Sequence, residues 1–99
     1  MAVLKLIKAK TGPNFPTNTT ADFRFDDYSM AVMTFPQVDT WKDFPANTSL
    51  NFSSAGNLEL FIDGELEDTC PSAITTSPKT GERTLSCGYG IYTVQFTVT

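Results

Sequence analysis

Tyr92-Thr93-Val94-Gln95-Phe96-Thr97-Val98-Thr99 ends the chain with apolar side chains at every even position from 92 to 98 and threonine or glutamine between them. Strict alternation over that length is the signature of a β-strand with one face in a core and the other toward solvent. Threonine suits the outward positions of such a strand.

Upstream, Leu85, Cys87 and Ile91 are apolar at odd positions, so the buried face changes parity near Gly90. The sequence reading assigns Gly88-Tyr89-Gly90 a β-bulge or sharp bend that re-aims one strand. Further back, Ser77-Pro78-Lys79-Thr80-Gly81-Glu82 has a proline preset for a turn and a glycine able to take positive φ, and predicts a hairpin. A two-residue loop at Pro78-Lys79 sets Cys70 opposite Cys87, whereas a four-residue loop ending at Gly81 makes them diagonal. Opposite positions are the closer match to a disulfide's Cβ separation of about 4 Å. Ile74 and Leu85 then share the cysteine face. The competing assignment is a pair of buried free thiols in a cytosolic protein.

The rest of the chain reads the same way. Residues 2–10 form a strand, ended by Thr11-Gly12-Pro13-Asn14-Phe15-Pro16. Residues 21–26 alternate apolar with charged groups, and Asp26-Asp27 turns the chain into residues 28–35, which are apolar on both sides and expected at a sheet centre. Between Pro36 and Pro45 there is room for one helical turn, with Asp39 as its cap. Residues 49–53 and 57–62 are strands, and Asp63-Gly64 is the chain's strongest hairpin signal, leading to an acidic edge strand at 65–69. Seven to nine short strands without helical periodicity predict a single all-β domain over residues 1–99. An antiparallel β-sandwich is the first choice and a small β-barrel the second. The spacing of Trp41, Cys70 and Cys87 is not that of an antibody domain.

Composition narrows the function. The net charge of −4 and the lack of a Lys/Arg cluster beyond the first strand exclude a nucleic-acid footprint. No apolar run approaches the eighteen residues of a membrane span. The chain has no histidine, which removes histidine-based nucleophilic sites and most zinc or copper sites. No glycine loop for phosphate or dinucleotide is present. A carboxylate pair is the remaining catalytic option, and a domain this small has little room for a cleft around one. The expectation is a protein that is not an enzyme and uses no cofactor or metal. Calcium at Asp26-Asp27 or at Asp63, Glu65, Glu67 and Asp68 is a weaker reading than ion pairs to Lys5, Lys8 or Lys10 on neighbouring strands.

Compartment is read from two signals. Paired cysteines in a small domain point to an oxidising environment. Three of the five asparagines, Asn18, Asn47 and Asn51, begin N-x-S/T sequons, an excess over chance that points to a secreted glycoprotein. Lysines break the opening run too early for a signal peptide, so Met1 reads as a start that replaces a removed signal.

Trp41 is the sharpest ligand-binding candidate. An indole on a proline-bounded loop with Asp39, Asp43 and Lys42 nearby offers a stacking face and hydroxyl-accepting carboxylates, the combination a sugar requires. The alternative is that Trp41 and Phe44 plug one end of the sandwich. Tyr89, between two glycines, is a second candidate for display. The expected function is non-catalytic binding of a glycan or other cell-surface ligand. The alternative is a secreted effector or inhibitor acting through an extracellular protein, or a module that adds a strand to a partner's sheet.

Overall fold

A computed structural model of the chain describes residues 1–69, 73–87 and 90–99, with the backbone alone of Cys87. The described residues form nine strands: β1 (Ala2–Thr11), β2 (Thr19–Phe25), β3 (Tyr28–Phe35), β4 (Lys42–Asp43), β5 (Ser49–Phe52), β6 (Leu58–Ile62), β7 (Glu65–Thr69), β8 (Lys79–Cys87) and β9 (Gly90–Val98). They make two antiparallel sheets. The first has the order β4-β1-β9-β8, with β5 pairing beside β4 along β1; the second has the order β3-β2-β6-β7. The all-β, two-sheet expectation holds.

Alternation builds the core. Leu4, Leu6 and Ala9 of β1 and Tyr92, Val94, Phe96 and Val98 of β9 face Ala21, Phe23 and Phe25 of β2 and Leu58 and Leu60 of β6, all buried. Tyr92 lies at the centre, with ring centroids 4.8 Å from Phe15, 5.3 Å from Phe35 and 5.6 Å from Phe23, and Phe23 continues to Phe44 at 5.3 Å. These are edge-to-face contacts, each adding about 0.5–1.5 kcal/mol beyond area burial.

Several expectations are corrected. The predicted hairpin around Pro78 and Gly81 does not form, because residues 79–87 all belong to β8 and pair with β9 from Lys79↔Val98 to Cys87↔Gly90. Among described residues, the upstream segment contributes only a bridge from Ile74 to Gly56 in place of a hairpin arm. The change of parity follows from chain reversal between Cys87 and Gly90: partners such as Leu85 and Tyr92 have opposite parity and share a face. Gly88 and Tyr89, assigned to the bulge, lie outside the described residues. Register shifts occur instead at Ile7 on β1, Met30 on β3 and Glu67 on β7, each an extra residue against its partner.

The strand at 28–35 is an edge, not a centre, and Val32 is 61% exposed. Val32, the apolar residue on its outer side, is left uncovered. The segment between Pro36 and Pro45 has no helical turn for Asp39 to cap; Asp39 takes φ 50° in a turn, and Lys42–Asp43 pairs with β1. The ion pairs expected between the acidic edge strand and Lys5, Lys8 or Lys10 cannot be cross-strand neighbours, because β7 and β1 belong to different sheets.

Turn chemistry is as the sequence demands. Asp26 and Asp27 have φ 47° and 68°, and Asp63 and Gly64 have φ 53° and 79°, the doubly positive conformation of tight hairpin turns. The Asp26 carboxylate accepts from the Asn57 amide at 2.9 Å, and Glu59 accepts from the Asp27 amide at 2.7 Å. Those oxygens anchor the β2–β3 turn to β6.

Candidate functional site

The extra residue at Ile7 shifts β1 so that Lys8 and Lys10 alternate with buried Ala9 and Thr11 and point to the outer face of the first sheet. β4 pairs Asp43 with Lys8 and Lys42 with Ala9, which carries Trp41 alongside Lys10. The consequence is one cluster. The Lys8 and Lys10 ammonium groups lie 5.0 Å and 4.9 Å from the Trp41 ring centroid. Each contact contributes about 0.5–1 kcal/mol where solvent-exposed.

Asp39 joins the same cluster. Its amide donates to the Thr11 carbonyl at 3.1 Å, its carboxylate lies 3.7 Å from Lys10 Nζ, and its side chain is 57% exposed. A short polar residue tolerates the positive φ that this turn needs. Asp43 stands opposite Lys8 in the ladder and therefore on the cluster's face. Of the predicted ligand-binding residues, Trp41, Asp39 and Asp43 are thus brought together.

Beside them runs a cleft of about 220 Å³ lined by Phe35, Pro36, Gln37, Thr40, Trp41 and Lys42. Trp41 is half-buried, whereas Phe44 is 7% exposed and packs on Phe23. Phe44 closes this part of the core, and the indole lies outside it against the lysines and the cleft. Lys42 Nζ donates to the Thr34 carbonyl, which ties β4 to β3 across the open side of the sandwich.

Tyr89 lies outside the described residues, as do Cys70 and the side chain of Cys87. The sequon asparagines are all exposed: Asn18 at φ 63°, Asn47 at φ 66°, and Asn51 on β5 opposite Val3. Asn18 donates its amide to the Phe35 carbonyl, so this sequon borders the cleft.

Lys42, which the sequence already sets beside Trp41, pairs with Ala9 and lines the cleft; Lys8 and Lys10 complete the cluster and are not visible as site residues in the sequence. Lys8 and Lys10 have the same parity as buried Leu4 and Leu6, so strict alternation points them inward; only the bulge at Ile7 turns them out. Their charge was the one available signal. Among the described residues, no three His, Cys, Asp or Glu side chains converge as a metal site, and no helix is long and apolar enough to cross a membrane.

Comparison with family models, curated proteins and solved structures finds no match to this chain.

Proposed function

We propose that this protein is a non-catalytic extracellular binding module that recognises carbohydrate at the Trp41 edge. The observation that carries the reading is the convergence of Trp41, Asp39, Asp43, Lys8 and Lys10 beside a cleft whose wall includes Phe35 and Pro36. A sugar ring presents C–H faces that pack on indole and proline, and hydroxyls that donate to carboxylates and accept from ammonium groups. The site supplies both kinds of group. The lysines rest on the indole without sealing its side chain into the core, so the ring borders the cleft from a fixed position.

An extracellular setting fits the exposure of all three sequon asparagines. The same setting favours a Cys70–Cys87 bond. The test is a glycan array probed with the wild-type protein and with Trp41→Ala. Binding to a defined glycan subset, lost in the variant while its far-UV circular dichroism is unchanged, is the expected result. A blank array for the wild type, or equal binding by the variant, rejects the site.

A further inference from the structure

We propose that β3 is a pairing edge through which two copies of this chain join across a two-fold axis. The strands that end the two sheets are not equally protected. β7 carries Glu65, Glu67 and Asp68 and is broken by the extra residue at Glu67. β8 turns Arg83 and Lys79 to the inner side, since their partners are Val94 and Val98, and an inward charge on an edge strand discourages pairing. β4 and β5 span only two and four residues. β3 is eight residues long, Tyr28-Ser29-Met30-Ala31-Val32-Met33-Thr34-Phe35, with no charge, proline or glycine. An edge of that kind is a template for a further strand.

The backbone offers matching groups. The Thr34 carbonyl receives the Lys42 ammonium group and so points away from β2, whereas the Phe35 carbonyl points back toward Asn18. In an antiparallel strand, orientation repeats every second residue, so the Val32 N–H and C=O also point outward. The extra residue at Met30 bounds the regular run to residues 31–35. An axis through Met33 sets Val32 of one copy against Thr34 of the other, twice, and each outward residue meets an outward residue. Four backbone hydrogen bonds result, and Val32, 61% exposed in the single chain, gains a neighbour on the outer face.

A second copy is the occupant that the charge distribution favours. At net charge −4, copies repel unless they meet along a strip free of acidic side chains, and antiparallel pairing of β3 provides one, since no residue of Tyr28–Phe35 is charged. Lys42 moderates the association, because its ammonium group competes for the Thr34 carbonyl that the second copy needs.

Five paired residues span roughly 17 Å, and so small an interface predicts dissociation constants on the order of 1–100 μM. Sedimentation velocity from about 1 to about 500 μM covers that range. The expected result is a mass rising with concentration from 10.9 kDa toward twice that value. Val32→Pro removes an N–H that β2 does not use, and it should stay monomeric. Val32→Lys, which keeps the backbone donor but adds an edge charge, should weaken the dimer in the same direction if the proline variant does not fold. Lys42→Met should tighten it several-fold. A wild-type monomer at the highest concentration overturns the proposal. A dimer that neither Val32 variant weakens places the contact elsewhere and overturns it equally.

Discussion

Gly56 shows how much one missing side chain can decide. A Cβ built there would collide with the Asp26 carboxylate and approach Phe25 Cζ to 2.6 Å. The carboxylate cannot easily retreat, because its other oxygen holds the Asn57 amide. The Phe25 ring is equally confined, lying 5.3 Å from Phe52 with 3% of its surface exposed. Gly56→Ala is therefore expected to lower stability by about 2 kcal/mol or more, read as a fall in the urea midpoint at unchanged slope. An unchanged midpoint would mean that the turn shifts freely. Nothing in the sequence singles out Gly56, since the need for it comes from Asp26, thirty positions earlier, and close approach between distant segments leaves no local pattern. Trp41 is the opposite case. A lone indole between two prolines stands out in sequence, while the lysines against it depend on one extra residue in β1.

At the scale of elements, turns were legible and sheet neighbours were not. Asp26-Asp27 and Asp63-Gly64 announce themselves because few residues accept two consecutive positive φ values. The β2–β3 turn, however, puts aspartate where glycine is the preferred second residue. Asp27→Gly should relieve the strain at φ 68° while keeping the backbone amide that donates to Glu59. The expected gain is about 0.5–1 kcal/mol in chemical denaturation, and a loss would show that the Asp27 carboxylate has a role of its own. Edge and centre are harder to read. Residues 28–35 look like a central strand because both faces are apolar, but whether a sheet has a neighbour on that side depends on the order β3-β2-β6-β7, which no local pattern encodes. The same ambiguity explains the misplaced hairpin: Pro78 and Gly81 carry turn chemistry, but nine consecutive pairs with β9 outweigh the local preference.

For the whole molecule, the question is what holds the edges of the two sheets closed around an aromatic core. On one side Lys42 reaches from β4 to the Thr34 carbonyl of β3; on the other the Ser86 amide of β8 donates to the Asp68 carboxylate of β7 at 2.8 Å. This second contact joins the sheets next to both cysteines in sequence, since Cys70 follows β7 directly and Cys87 ends β8. A Cys70–Cys87 bond therefore has a different meaning from the one a hairpin gives it: it would staple sheet to sheet at an edge instead of tying two arms of one ribbon. Closing a loop of that length restricts the unfolded chain by about 3 kcal/mol. The native protein should be 2 Da lighter than its reduced form by intact mass spectrometry, a difference set by two hydrogens, and should resist alkylation until reduced. With such a bond, reduction should lower the unfolding free energy by about 3 kcal/mol, and Asp68→Ala should cost more in the reduced protein than in the oxidised one, because the hydrogen bond and the covalent bond would then secure the same edge. Alkylation of both thiols in the native protein would remove the staple, and with it one of the two arguments for an extracellular setting.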